Sequence, residues 1–225
     1  MEKAVIIFSG GQDSTTCLGV YYKQYELYPI TFWYGQKHLS EIAATRHILG
    51  NLDKSLYLRR KEVDISFLPE LVNSALTSDG DPTQVHPDKP NLPASFVPNR
   101  NSIFITLAHT YAQKIGAHIL IGGMCQTDYS GYPDCKREYI DKIIFALNVG
   151  SNSDIVMFTP IMYINKAETF ELAEIYGVLS IVLEYSRTCY NNSDNRNDWG
   201  YGCGECPACK LRKKGWDEYN ANSRR

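Results

Sequence analysis

The residues Ser9, Gly10, Gly11, Gln12, Asp13 and Ser14 carry the types and spacing that can hold an anion. They follow Ala4 to Phe8, an apolar, β-branched run without polar alternation, as expected of a buried parallel strand. Two glycines allow a sharp turn that presses backbone N–H groups against an anion, and Asp13 to Thr16 open a helix whose N-terminus favours negative charge. The stretch has no Gly-Lys-Ser/Thr and no third glycine, so it is neither a Walker A loop nor a dinucleotide fingerprint. A strand-to-helix turn that merely needs glycines is the plain alternative.

The second cluster is Cys203, Cys206 and Cys209, spaced by two residues each, with Cys189 fourteen positions upstream. Four thiolates can close a tetrahedral shell around one Zn²⁺ through S–Zn bonds of about 2.3 Å, with Gly202, Gly204 and Pro207 forming a tight knuckle. Such a shell has no open position for water, so the metal is structural and holds the Tyr190 to Tyr201 insertion and the last helix. An iron–sulfur cluster and ordinary free thiols are the competing readings. Cys17, Cys125 and Cys135 lack this spacing, and Cys17 reads as a small buried residue of the first helix.

The elements that must position these groups alternate. Expected helices cover 15–24, 40–49, 103–115, 136–149 and 166–176, and expected strands cover 28–34, 55–63, 118–121 and 155–159. Two successive strand-helix-strand units argue for a right-handedly wound parallel sheet with ligands at the carboxyl ends of its strands. The fold class is therefore α/β, a parallel-sheet Rossmann-like domain over 1–185 with a small zinc-binding appendage over 186–225. Residues 73–97 carry four prolines and no sustained period and read as a long lid-like loop. Arg100 sits at a helix start where its planar fork can reach a phosphate, with a surface cation as the alternative. Lys166 follows the cap Asn165 and opposes the helix dipole, which an anion would offset; a solvated lysine is its alternative. The polar and aromatic stretch Cys125 to Asp134 lies after a strand and reads as a pocket for a flat heterocycle.

With 23 Lys and Arg against 25 Asp and Glu over 225 residues, no global field collects nucleic acid or an anionic membrane, so a small-molecule partner is expected. The apolar N-terminal run is too short for a signal segment, which reads as a cytoplasmic protein with reduced cysteines.

Ser9 to Ser14 resembles the pyrophosphate loop of the N-type ATP pyrophosphatases, a resemblance that implies ATP cleaved between its α- and β-phosphates. Adding Tyr34-Gly35-Gln36, Phe96-Val97-Pro98, Arg100-Asn101, Thr127-Asp128, Ser130 to Cys135, Asn165 to Thr169, Thr188 to Asn191 and the cysteines, the chain resembles the 7-cyano-7-deazaguanine synthase (QueC) family from Lys3 to about Tyr219. That resemblance implies ATP- and Mg²⁺-dependent conversion of 7-carboxy-7-deazaguanine and ammonia to the nitrile, on the route to queuosine, in a zinc-bearing homodimer. It assigns ATP to Phe8, Ser9, Gly10, Gly11, Gln12, Asp13, Ser14, Thr15, Thr16, Cys17 and Leu18, with Asp13 on Mg²⁺. Asp13, Ser14, Arg100 and Lys166 become the catalytic set, and Tyr34, Gln36, Gln126, Asp128, Tyr132 and Asp134 the substrate set. Cys189, Cys203, Cys206 and Cys209 become the zinc ligands.

Four positions depart from the family's pattern. Asn99 stands for Gly, Gln126 for an acidic residue and Tyr163 for Trp, and the insertion between Cys189 and Cys203 is longer. Asn tolerates left-handed geometry next best after Gly. Gln126 offers one acceptor oxygen where a carboxylate offers two, so Asp128 is expected to meet the ring's paired donors. Two rival readings remain. One is a paralogue that passes the activated carboxylate to a peptide or protein amine in antiphage defence; the other is a zinc-bearing RNA-binding module using Lys210, Arg212, Lys213 and Lys214.

Overall fold

The computed structural model describes residues 1–35, 39–78, 80–81, 84–127 and 131–223, with the side chains of 39 and 40 also outside the description. In chain order the elements are β1 (Lys3–Ile7), α1 (Gln12–Tyr21), β2 (Glu26–Trp33), α2 (Leu39–Leu52), α3 (Lys54–Arg59), β3 (Lys61–Asp64), β4 (Val85–His86), β5 (Lys89–Pro93), α4 (Arg100–Ile115), β6 (Ile119–Ile121), α5 (Arg137–Ser151), β7 (Val156–Phe158), α6 (Lys166–Ile175), α7 (Leu179–Tyr185), β8 (Arg196–Asn197), β9 (Gly200–Tyr201) and α8 (Pro207–Ser223).

β1 is buried at every position after Lys3, and it takes the centre of a five-stranded parallel sheet ordered β3-β2-β1-β6-β7. Its side chains alternate between two cores. Val5 and Ile7 pack with residues of α4 and α5, whereas Ala4 and Ile6 pack with residues of α1 and α2. The chain winds outward from β1 to β3, then returns to continue through β6 to β7. The strand order therefore reverses between β1 and β6, and the crevice that opens at their carboxyl ends is where α/β sheets bind ligands.

Three expectations change. The strand expected over 55–63 divides into α3 and β3, because the Asp53 carboxylate accepts from Ser55 N–H at 2.7 Å and caps a helical turn that buries Leu56. Within 73–97, β4 and β5 pair as a short antiparallel hairpin, anchored where Ala75 N–H donates to Ala94 O at 2.8 Å. α4 begins at Arg100 rather than at Ile103.

The C-terminal segment is fastened to the main core. α8 packs on α6 through Phe170, Trp216 and Tyr219, whose ring centroids lie 5.2 to 6.1 Å apart. Arg212 of α8 is fully buried and donates to Trp199 O, Ser186 Oγ, Thr188 Oγ1 and Val182 O at 2.8 to 3.0 Å. Four bonds are what a buried guanidinium needs to offset its lost hydration. No helix among the described residues is long and apolar enough to cross a membrane.

Candidate active site

Gly10 is held at φ +80° by the turn that leaves β1, and a Cβ there would lie 3.0 Å from Glu41 O and from Thr45 Cγ2 of α2. Only glycine meets both demands without strain. Hydroxyls brace the loop: Ser9 Oγ and Ser14 Oγ lie 3.1 Å apart, Ser14 Oγ donates to Gly11 O at 3.2 Å, and Gly11 N–H donates to Ser9 Oγ at 3.3 Å. Arg187 N–H ties Gly10 O to the end of α7 at 3.0 Å. α1 then starts with no side-chain cap on Gly11, so its first N–H groups and its dipole face the crevice.

The crevice is a cavity whose walls include Phe8, Ser9, Gly11, Gln12, Asp13 and Ser14 at one end and Phe32, Tyr34, Leu76, Phe104, Met124 and Tyr132 at the other. The second end is aromatic: Phe32 and Phe104 stack at 4.5 Å with planes 7° apart, and Tyr34 lies 5.5 Å from Phe104. Four cations, Arg100, Lys166, Arg187 and Arg212, and two carboxylates, Asp13 and Glu41, line it among the described residues. An excess of positive charge beside an uncapped helix start suits a polyphosphate, and the aromatic end suits a flat ring.

Of the loop residues expected to touch ATP, those beyond Ser14 stand behind the wall. Thr15 Oγ1 donates to Gly11 O at 2.7 Å, Thr16 Oγ1 donates to Gln12 O at 3.0 Å, and Cys17 and Leu18 are fully buried in the core. Their role is to hold α1, since the turn of the helix points them inward. Gln12 is buried on the cavity wall, and neither its amide nitrogen nor its amide oxygen has a hydrogen-bond partner among the described residues. Leaving such a pair unmet costs about 1–3 kcal/mol per group, a cost that a bound ligand removes.

Lys166 and Asp13 find each other across 153 residues. The Lys166 ammonium donates to both Asp13 carboxylate oxygens at 2.7 and 2.8 Å, so the anion that offsets its place at the start of α6 is a protein carboxylate. Asn165 caps α6 as expected, accepting from Ala167 and Glu168 N–H in a capping box. Lys166 also backs onto α8, where a Cβ on Gly215 would stand 2.7 Å from Lys166 Cβ. Gly215→Ala is expected to displace Lys166, lowering ATP turnover about tenfold and stability by about 1–3 kcal/mol. A melting curve and an ATP turnover rate both equal to the parent's would contradict this.

Arg100 opens α4 directly after Asn99, which adopts φ 60° in the left-handed region as its residue type allows. Its guanidinium lies 5.7 Å from the Tyr34 ring and 5.9 Å from Phe104. Burial pushes the Tyr34 hydroxyl up to about 12, so the ring is neutral. Asp134 is buried and absent from the described cavity wall; one oxygen accepts from Asn101 N–H at 3.3 Å, and burial raises its pKa against an opposing pull from Arg100. Tyr132 lines the cavity, with its hydroxyl 2.7 Å from Ser95 Oγ. The other Asp134 oxygen, Oδ1, is buried with no hydrogen-bond partner among the described residues.

Gln126 is displaced from the role expected of it. Its side-chain oxygen accepts from Arg137 N–H at 3.0 Å, its backbone N–H donates to Met162 O, and it is absent from the cavity wall. It satisfies an orphan donor at the start of α5. Gln126→Glu keeps that acceptor, so the KM for the ring substrate is expected to change less than about twofold; a tenfold change would return the residue to the pocket. Gln36 and Asp128 lie outside the described residues. Glu41 was missed by sequence reading, because a single Glu in the first turn of a helix is what any solvated helix start carries.

The four Sγ atoms of Cys189, Cys203, Cys206 and Cys209 lie within 4.8 Å of one another, a group that could hold a metal ion. Cys203 Sγ and Cys209 Sγ are 3.9 Å apart, close to the ~3.8 Å edge of a tetrahedron with 2.3 Å metal–sulfur bonds. Glu205 and Cys206 N–H both donate to Cys203 Sγ at 3.3 Å, and Cys209 N–H donates to Cys206 Sγ at 3.4 Å. Such donors stabilise thiolates, so the residues fit a closed tetrahedral site.

Fold and site together define an α/β enzyme with a glycine-bearing loop and an uncapped helix start at the switch point of a parallel sheet. The chain belongs to the QueC family: the model of queuosine biosynthesis protein QueC matches residues 3–220. Among curated relatives, 7-cyano-7-deazaguanine synthase of Wolinella succinogenes is 49% identical over 223 residues, covering 97% of this chain and 94% of that protein. The protein of the same name from Helicobacter pylori (strain Shi470) is 46% identical over 228 residues, covering 99% of both. Among solved structures, the predicted subunit of tRNA methyltransferase from Methanocaldococcus jannaschii has a TM-score of 0.44 at 18% identity, over 77% of this chain and 75% of that one.

Proposed function

We infer that the protein converts 7-carboxy-7-deazaguanine and ammonia to 7-cyano-7-deazaguanine at the expense of ATP. The observation that carries this reading is the uncapped start of α1 and its Ser9–Ser14 loop, set at one end of a cationic cavity whose other end is aromatic. The loop would hold the departing pyrophosphate, and Lys166 and Arg100 would spread the charge that builds as it leaves. The substrate carboxylate attacks the α-phosphorus, pyrophosphate departs, and ammonia displaces AMP to leave a carboxamide. Adenylation of the amide oxygen by a second ATP and loss of AMP then yields the nitrile.

Mg²⁺ would screen the phosphate charges, and Asp13 is the loop carboxylate suited to hold it once Lys166 turns toward the phosphates. Zn²⁺ is the metal that best suits the four thiolates, in a structural role. Cytoplasmic location and a homodimer complete the reading, the latter supported by exposed Phe145 and Val149, one turn apart on α5. The RNA-binding alternative loses Arg212, which lies in the core and not on a basic surface. The paralogue has no support in the relatives' names.

Incubation with ATP, Mg²⁺ and 7-carboxy-7-deazaguanine, with and without ammonium, tests the reading by product mass. Nitrile with two AMP per turnover is expected only with ammonium. Failure to cleave ATP, or a product carrying another amine, would refute it.

A further inference from the structure

We propose that Glu41 is the general base that takes a proton from the carboxamide nitrogen in the nitrile-forming half of the reaction. The proposal rests on the function inferred above and assigns a residue to a step that the other groups of the site leave without one.

That step needs an acceptor. In the O-adenylated carboxamide the nitrogen carries two hydrogens. The C–O bond breaks with its electron pair departing on AMP, nitrogen electrons close the C≡N bond, and both hydrogens leave as protons. One proton must pass to a group inside the cavity as the bond breaks, and the other follows to solvent or to the phosphate of AMP.

Among the described residues the acceptors on the cavity wall are few. Asp13 is held by the Lys166 ammonium on both oxygens, and once Lys166 turns toward the phosphates this carboxylate would be taken up by Mg²⁺. The Cys135 thiol is pushed up to about 12 by burial, and Tyr34 likewise, so neither supplies an anion at neutral pH. Lysine and arginine cannot accept. The Cys125 thiol donates to Ile164 O at 3.4 Å and no histidine lines the cavity among the described residues, so the carboxylate of Glu41 is the acceptor that the described wall offers.

Its position joins the two ends of the site. The first turn of α2 presses on the phosphate loop, since Glu41 O is one of the atoms that a Cβ on Gly10 would meet at 3.0 Å. The side chain shares the cavity wall with Tyr34 and Arg100 of the aromatic end. The described charged and titratable groups coupled to it are those two, from the end of β2 and the start of α4. Burial pushes the Glu41 carboxyl up to about 7, against a smaller opposing pull from Arg100. A group poised there can both accept a proton and release it between turnovers.

A reading of Glu41 as the acceptor for the ring's N–H edge makes a different forecast, and one experiment separates the two. The carboxamide is supplied directly with ATP, and nitrile formation is followed in single turnover. Glu41→Gln is expected to slow conversion of saturating carboxamide about a hundredfold with the KM for carboxamide within threefold of the parent's. With the natural acid and ammonia as substrates, the variant should release carboxamide in place of nitrile.

Glu41→Ala supplies the second arm, because added formate should restore part of the lost rate by standing in for the missing carboxylate. A Glu41→Gln variant that converts carboxamide at the parent's rate, or that only raises KM, overturns the proposal. So does a Glu41→Ala variant that formate cannot rescue. If the parent enzyme itself makes no nitrile from acid and ammonia, the functional reading fails rather than the assignment of Glu41.

Discussion

With methionine at position 166, kcat/KM for ATP-dependent turnover is expected to fall by about a hundred- to a thousandfold, the usual loss when one buried donor is withdrawn from developing charge. Lys166 is 8% exposed in its side chain and bonded to both Asp13 oxygens, so its removal has two effects. It takes a cation from the phosphate end of the cavity, and it leaves Asp13 without its partner beside the loop. Breaking a buried pair costs about 3–5 kcal/mol, less here because the Asp13 side chain is 27% exposed.

The two effects separate in a cycle. Lys166→Met with Asp13→Asn should recover much of the lost thermal stability and none of the activity, because the unpaired carboxylate is gone while the cation is still missing. Asp13→Ala and Ser14→Ala singly should also stop release of AMP and pyrophosphate. Wild-type turnover in Lys166→Met would mean that the pair is only a structural clasp.

The second large effect is expected from the cysteine cluster. Cys206→Ser should drop bound metal from one Zn²⁺ per chain to well under a tenth, and lower Tm by about 10 °C or more. A closed site couples metal affinity to folding, and for a chain of this size each kcal/mol lost moves Tm by about 2–4 °C. The consequence reaches the catalytic end because Cys206 and Cys209 stand at the start of α8, and Gly215 of the same helix lies against Lys166. Loss of metal should therefore depress ATP turnover even below the melting transition. Elemental analysis that finds iron, or a metal-free protein of full activity, would contradict the zinc assignment.

What could be read from the sequence alone is what neighbouring residues decide among themselves. The apolar run into Ser9-Gly10-Gly11 is a strand and a tight turn wherever it occurs, since only glycine takes φ +80° there at no cost. Asn165 caps α6 three residues before Glu168 for reasons confined to one helical turn, and Asn99 takes its left-handed place by its own side chain's tolerance. Three cysteines within seven residues need little from the rest of the fold to bring their sulfurs together. The alternation of apolar segments likewise carries the parallel sheet, because a strand buried on both faces has few other readings.

Only the tertiary structure decided which long-range partners each polar group meets. Lys166 faces Asp13 and not solvent because α6 and α1 meet at the edge of the sheet. Arg212 is a buried strut and not part of a basic surface because α7 and the segment that follows it bring Val182, Ser186 and Thr188 to its guanidinium. Gln126 caps α5, and Glu41 occupies the cavity, although by sequence the first looks the better ligand for a ring and the second an ordinary helix start. The physical reason is common to all four: a charged or polar side chain has no fixed preference until the fold sets its dielectric surroundings and its partners, and those come from elements tens of residues away.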